Sequence, residues 1–291
     1  MSPSHPPIVC CVDDGYVRPL SVLMESLAAI GQHAGLRLVV VHAGLTRASR
    51  DQLARHADRL DLDLLTHQVR AASEGPVSGW VSDAVYLRLE IGDALADRYD
   101  RILYLDADTL VLDDLRPLLL TPLEGAAVAA VRDPQNPVIG AGIALPGWAD
   151  LDLPFGRDYF NSGVMLLDLP ACAEQDLFTE ARHFLADHPD QVVLWDQDAL
   201  NVAAADRWKR LDRRWNTFAL SPLAAAPDYR HIDAEPYSPL GMLLADEPGA
   251  SILHFAGPAK PWKDDYPDSA LKSVYQRFLR AVEKAESDGC W

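Results

Sequence analysis

The chain has 291 residues, 49% of them hydrophobic, enough apolar material for one large or two small domains with a buried core, which excludes a disordered polymer. Its 43 acidic residues against 26 basic ones leave a formal charge of −17. That field repels polynucleotides and anionic membrane surfaces, so neither a nucleic-acid partner nor membrane association is expected, and any anionic substrate needs local neutralisation by a metal or a few placed cations.

The first residues, 1–7, hold neither a basic nor an apolar leader segment, so no secretory signal is read there and the expected compartment is the cytoplasm. From there short apolar runs alternate with helical patterns, as β-α-β units with a largely parallel sheet require. Residues 8–12 read as a buried strand followed by the turn Asp13-Asp14-Gly15-Tyr16. A helix over 19–30 sets Leu20, Leu23, Leu27 and Ile30 on one face and ends near Gly31. A strand over 36–41 precedes a helix that Thr46 can cap, with Leu53, Ala57 and Leu60 inward, and 62–66 is a further strand. Residues 70–79 form a loop, Ser82 caps a helix running to Ile91, and the strand at 102–105 delivers Asp106-Ala107-Asp108.

Past Pro117 the pattern loosens. Residues 126–131 read as a strand, 132–158 as a long irregular segment rich in proline and glycine, and 160–167 as an apolar strand with Asn161, Ser162 and Gly163 set inside it. A long irregular stretch within a compact domain usually carries function or a lid. Helices over 174–188 and 196–205, a strand over 251–255 and an amphipathic helix over 268–286, with Leu271, Val274, Phe278 and Val282 inward, complete the chain. The longest apolar runs fall well short of the ~20 residues of a bilayer span. Cys10, Cys11, Cys172 and Cys290 have no zinc-finger or redox spacing and read as reduced thiols, Cys10 and Cys11 pointing to opposite faces of one strand.

Several clusters carry chemistry. On an extended chain side chains two apart point the same way, so Asp106 and Asp108 converge at the end of a buried strand, where Mg²⁺ or Mn²⁺ would relieve their repulsion. A plain turn made by Asp108 and Thr109 is the alternative. The nucleophile loop of haloacid-dehalogenase-like phosphatases has a similar pattern, but the acidic pair it requires after a later apolar strand is not matched by Asp264-Asp265, which follows Pro261-Trp262-Lys263. Downstream, His254 can add a nitrogen ligand, Gly257 permits close backbone approach, and Lys260 offers a point charge suited to phosphate, although a lone histidine or lysine is more often structural. Asn161 and Ser162 in an apolar strand meet a ligand or close a turn. Asp196 fits helix capping, which does not account for Gln197.

Taken in order, Asp13-Asp14-Gly15-Tyr16, Tyr86-Leu87-Arg88, Leu105-Asp106-Ala107-Asp108, Phe160-Asn161-Ser162-Gly163-Val164, Asp196-Gln197-Asp198 with Asn201, and His254 through Trp262 resemble glycosyltransferase family 8, over about residues 8–262. The resemblance implies an α/β GT-A fold, Rossmann-like, with a central mostly parallel sheet flanked by helices. It implies one domain over 1–267, with a nucleotide-binding half at about 7–115 and an acceptor and catalytic half at about 116–267, followed by a C-terminal helix over 268–291. The implied activity is retaining transfer of a hexose, glucose or galactose, from UDP-glucose or UDP-galactose to a hydroxyl of a glycan or small-molecule acceptor, with Mn²⁺ or Mg²⁺ as cofactor. By that resemblance Asp106, Asp108 and His254 hold the metal, Asp13 reads the uracil and Tyr16 stacks on it. Gly257 and Lys260 contact the diphosphate, Arg88, Asn161 and Asp196 bind donor hydroxyls, and Gln197 lies beneath the anomeric carbon, with Asp198 as the alternative nucleophile. Gly15 stands where relatives often carry asparagine, and Ala256 where a small polar residue or cysteine is common. A UDP-sugar hydrolase, a nucleotidyltransferase and an inert sugar-binding relative are the competing readings. The second lacks its glycine-rich basic loop after the first strand, and the third should have lost a metal ligand, which this chain has not.

Overall fold

In the computed structural model of the chain, which describes residues 5–31, 35–70 and 83–287, the apolar runs of the N-terminal half become β1 (Ile8–Cys11), β2 (Arg37–His42), β3 (Asp63–Gln68) and β4 (Arg101–Leu105). They are followed by β5 (Thr109–Val111), β6 (Val128–Arg132), β7 (Phe160–Asp168), β8 (Trp208–Arg210), β9 (Thr217–Phe218) and β10 (Ile252–His254). The main sheet has seven strands in the order β3-β2-β1-β4-β7-β6-β8, and a small sheet runs β5-β10-β9. β1 to β4 are mutually parallel, and only β7 runs antiparallel to its neighbours β4 and β6.

Both faces of the central part of the main sheet are covered, which is why β1, β2, β4, β6 and β7 are largely apolar, whereas the edge strands β3 and β8 carry polar, more exposed residues. Ile8, Cys10, Leu38, Val40, Leu103 and Leu105 pack on one side against Leu20, Leu23 and Leu53, which come from the helices Val17–Ala29 and Arg47–Leu60. Val9, Val39, Val41, Ile102 and Tyr104 pack on the other against Phe178, Leu185 and Leu200, from the helices Leu177–Asp187 and Trp195–Ala204. Cys10 and Cys11 face opposite sides, as neighbours in a strand must, and neither they nor Cys172 form a disulfide. Cys290 lies outside the described residues. The predicted ends also appear: Gly31, at φ +65°, follows the first helix, and the Thr46 side chain accepts from Ser49 N at the start of the second. The final helix, Ala270–Ser287, packs Tyr275, Phe278 and Val282 on Val22 of the first. Among the described residues no helix is long and apolar enough to cross a membrane.

Strand order places the site. From β1 the chain moves outward to β2 and β3, then returns to β4 on the other side of β1. The connections leaving β1 and β4 therefore diverge, and a crevice opens at the carboxyl ends of these two strands, where open α/β sheets bind ligands. β7 enters this end antiparallel to β4, pairing Val164 with Leu105, so Asn161, Ser162 and Gly163 fall beside Asp106, whose N–H donates to Gly163 O at 2.8 Å.

Three local expectations are corrected. Asp106 and Asp108 do not converge by the alternation of an extended strand: β4 stops at Leu105 and a turn follows, with Thr109 N and Thr109 Oγ1 both donating to Asp106 O at 3.2 and 2.8 Å. The turn and the ion-site readings of this segment are thus compatible, because the turn brings the carboxylates together. The element before Ile91 is a 3-10 helix, Asp83–Glu90, with Tyr86, Leu87, Arg88 and Leu89 all buried. The predicted cap Ser82 and most of the 70–79 loop lie outside the described residues. Instead of one helix over 174–188 there are two, Leu169–Glu174 and Leu177–Asp187, separated at Asp176 with φ +52°.

Candidate active site

The crevice is a cavity of about 340 Å³. Asp13, Tyr16, Arg88, Asp106, Asp108, Asn161, Asp196, Gln197, His254, Gly257 and Lys260 all line it, so residues spread over more than two hundred positions meet at one end of the sheet. The turn after β1 is pinned from outside: Asp14 accepts from Thr46 N and Thr46 Oγ1 at 3.1 and 3.0 Å. That leaves Asp13, whose carboxylate accepts from Tyr16 N at 3.2 Å, on the cavity side. The Tyr16 ring stands edge-on to Trp262 at 6.0 Å between centroids.

Asp106 is oriented by two donors on one oxygen. Tyr104 Oη and Arg88 Nη2 donate to its Oδ1 at 2.7 and 2.8 Å, which leaves Oδ2 facing His254 Nε2 at 3.9 Å. Asp108 is nearly buried, and its Oδ2 accepts from Lys260 Nζ. Burial raises the Asp108 carboxyl, but the Lys260 ammonium and the His254 ring together outweigh it and hold the group well below the usual carboxylate range. Asp108 Oδ1 is buried with no hydrogen-bond donor, 3.2 Å from His254 Nε2.

One ligand atom from each of Asp106, Asp108 and His254 lies within 4.8 Å of the others. A cradle of two carboxylates and an imidazole, one oxygen lacking any donor, matches the donor set of a divalent ion such as Mn²⁺. Gly163 lies directly against it: a Cβ there would come 2.4 Å from His254 Cε1 and 2.8 Å from Asp106 Oδ2. The glycine in β7 is thus required by the space the cluster occupies.

Arg88, expected to meet donor hydroxyls, is 6% exposed and already committed. Besides Asp106, its Nη1 donates to Ser162 O and Oγ at 3.0 and 2.6 Å, its Nε pairs with Asp196 Oδ2 at 2.8 Å, and its guanidinium lies 4.7 Å over the Tyr104 ring. Burial disfavours its charge, and Asp106 and Asp196 more than compensate, raising its already high pKa. Asp196 is pushed up to about 7 by burial, against the pull of Arg88. Lys260, expected on the diphosphate, donates to Asp108 and to Phe255 O at 2.9 Å.

Gln197 is a strut. Its Oε1 accepts from Asn161 Nδ2 and Ser162 N at 2.8 and 2.9 Å, and its Nε2 donates to Asp133 Oδ2 at 3.2 Å. Asp198 is the one proposed site residue that the fold keeps out of the cavity lining. It is fully buried: Oδ1 accepts from Tyr159 Oη at 2.6 Å and Oδ2 from Val193 N and Leu194 N at 2.8 Å. These bonds tie down the backbone before Trp195, whose φ of +50° is unusual for a bulky residue.

Two features had no assigned role in the sequence reading. Asp133, at the end of β6, accepts from Gln135 N and Asn136 N at 2.8 Å, and with Gln135, Asn136 and Ile143 it forms a cavity wall out of the irregular 132–158 segment. Asn216 accepts or donates at His254 Nδ1, 2.9 Å away, from a short turn before β9. Asp133 follows an apolar strand, a visible cue. Asn216 carried none.

A family sequence model described as Glycosyl transferase family 8 matches residues 7–266. General stress protein A of Bacillus subtilis (strain 168) is 29% identical over 268 residues, which covers 89% of this chain and 87% of that protein. Lipopolysaccharide 1,2-glucosyltransferase of Escherichia coli (strain K12) is 28% identical over 253 residues, 86% of this chain and 71% of that protein. Among solved structures, galactosyltransferase LgtC in complex with donor and acceptor sugar analogs superimposes with a TM-score of 0.76 at 26% identity, covering 98% of this chain and all of that one (100%). The fold is therefore the GT-A fold expected from the sequence, with its central, mostly parallel sheet between helices.

Proposed function

The chain belongs to glycosyl transferase family 8, and from that membership we propose that it transfers glucose or galactose, with retention, from a UDP-sugar to an acceptor hydroxyl, using Mn²⁺ or Mg²⁺ held by Asp106, Asp108 and His254. The observation that carries the reading is the cluster itself: three convergent ligand atoms and a buried Asp108 oxygen with no donor. Charge supports it. The cavity is lined by five carboxylates, Asp13, Asp106, Asp108, Asp133 and Asp196, against the two cations Arg88 and Lys260, each already paired with a carboxylate. Such a wall repels a diphosphate unless a divalent cation is added, which is the local neutralisation that the −17 net charge demands.

Held by Asp106, Asp108 and His254, such an ion would supply Lewis-acid stabilisation for the leaving diphosphate. The chain's residues do the rest. Arg88 and Tyr104 hold Asp106 so that its second oxygen faces the cluster. Asp13 and Tyr16, on the pinned turn after β1, take the base, Gly257 and Lys260 the diphosphate, and Asn161 and Asp196 the sugar hydroxyls. On this reading residues up to about 115 serve the nucleotide, joined by His254, Gly257 and Lys260 from the other half, and the wall from Asp133 to Ile143 faces the acceptor.

Gln197 Oε1 spends its lone pairs on Ser162 N and Asn161 Nδ2, and a carboxamide is a weak nucleophile in any case. We therefore assign front-face attack by the acceptor hydroxyl through an oxocarbenium-like state, with the proton passing to the leaving phosphate oxygen. Gln197→Ala, which removes the strut under Asn161 and Ser162, is expected to lower turnover by roughly 100-fold, as a misplacement of about 1 Å does. Asp198→Asn should stay within about tenfold of wild type, because the amide oxygen can keep Val193 N and Leu194 N while its NH₂ meets the Tyr159 hydroxyl. Steady-state UDP release measures both, and an inactive Asp198→Asn beside an active Gln197→Ala would favour a double displacement.

A further inference from the structure

We infer that Asn216 is a positioning residue that dictates which ring nitrogen of His254 carries the proton, and so presents a bare Nε2 to Asp106 and Asp108. Which nitrogen of a histidine is protonated follows from its hydrogen-bond partners, and here the partners can be traced to two groups whose roles are fixed. Gly163 N–H, a backbone donor, meets Asn161 Oδ1 at 3.0 Å. At the other end of the same side chain, Asn161 Nδ2 faces the Asp133 carboxylate, an acceptor, at 3.3 Å. Both ends therefore agree on which atom of Asn161 is oxygen.

Asn161 Oδ1 then receives Asn216 Nδ2 at 2.8 Å, which turns Asn216 Oδ1 toward His254 Nδ1, 2.9 Å away. A carbonyl oxygen only accepts, so His254 Nδ1 must be the donor. In the neutral imidazole its Nε2 is then left with a lone pair, 3.2 Å from Asp108 Oδ1 and 3.9 Å from Asp106 Oδ2. Acceptors facing one another in a buried site call for a cation between them. Asn216 is 2% exposed and immediately precedes β9, which runs parallel to β10 with Thr217 opposite Leu253 and Phe218 opposite His254, so the small sheet holds it close to His254. The same relay ties the ligand to the donor-side residues Asn161 and Gln197.

The inference rests on the metal reading above, and its test separates the two. Long-range ¹H–¹⁵N spectra of metal-free, ¹⁵N-histidine-labelled protein at pH 8 report the proton position directly, with His254 identified by the signals lost in His254→Gln. The expected result is a proton on Nδ1. In Asn216→Leu, similar in shape but without hydrogen bonds, the proton should move to Nε2, which can then donate to Asp108. Mn²⁺ affinity, read from the free-ion EPR signal, should fall about 10–100-fold, as for other partners of metal-bound histidines. Asn216→Asp, which restores an acceptor for Nδ1–H but sets its other oxygen against Asn161 Oδ1, should recover part of that loss, whereas a residue needed only for packing would be served by leucine. A proton on Nε2 in wild type overturns the inference, and so does a folded Asn216→Leu with wild-type Mn²⁺ affinity. If leucine prevents folding, the wild-type spectrum still decides. Wild-type protein that binds no Mn²⁺ would instead sink the metal reading.

Discussion

Asp108→Asn is expected to lower turnover of a UDP-sugar by about 1,000-fold, equivalent to about 4 kcal/mol of transition-state stabilisation. The amide keeps the shape of the side chain and an acceptor for Lys260, so the change isolates charge. It removes one of the two carboxylates in the Asp106, Asp108 and His254 cluster, and the one whose Oδ1 has no donor within the protein. It also leaves the buried Lys260 without its anion, so the metal-free variant should be less stable than wild type. The discriminating readout is therefore the effect of the ion on stability. Mn²⁺ should raise the melting temperature of wild type, as any ligand of the native state does, and should leave that of Asp108→Asn unchanged. Equal Mn²⁺-induced shifts in the two proteins would remove Asp108 from the ligand set.

Gly163→Ala should be nearly as damaging. Its φ lies outside the left-handed region, so an alanine there is not strained by the backbone; the cost is one of space. The added Cβ would approach His254 Cε1 to 2.4 Å, Asp106 Oδ2 to 2.8 Å and Asn161 Oδ1 to 3.0 Å. Overpacking of this kind costs about 1–3 kcal/mol of stability, and here the side chains that must give way include two of the three proposed ligands. If each displaced ligand weakens the site by roughly 10–100-fold, as loss of an orienting partner does, turnover should drop by about 1,000-fold while the far-UV circular dichroism stays native. Gly156→Ala serves as a control, since a Cβ there meets nothing within 4 Å and its φ is ordinary. A Gly163→Ala protein with wild-type Mn²⁺ affinity would show that β7 does not pass so close beneath the cluster.

How far the sequence anticipates this architecture depends on the distance over which each signal acts. β1, β2, β4 and the Thr46 cap are legible because burial on both faces of the sheet, and the capping of a helix start, write themselves into neighbouring residues. The site motifs were legible one at a time, as Asp106-Ala107-Asp108 or His254 through Trp262, but their meeting depends on strand order, which periodicity does not encode. The antiparallel entry of β7 is a case in point: it sets Gly163 against Asp106, and nothing local in Phe160-Asn161-Ser162-Gly163 announces direction. The pairing of Arg88 with Asp106 and Asp196, and the retreat of Asp198 from the cavity into bonds with Tyr159, Val193 and Leu194, are likewise tertiary facts. Asn216 is the extreme example, a lone asparagine in a short turn whose partners lie 38 and 55 positions away.

The central claim, that Asp106, Asp108 and His254 hold a divalent ion required by a UDP-sugar donor, is tested most directly by measuring UDP release from a panel of UDP-hexoses with Mn²⁺ and again after chelation with EDTA. Release is expected from at least one of UDP-glucose and UDP-galactose, lost in EDTA, restored by added Mn²⁺ and nearly absent in Asp108→Asn. Release that is equal with and without the chelator, or no turnover of any UDP-sugar with Mn²⁺ present, would contradict it.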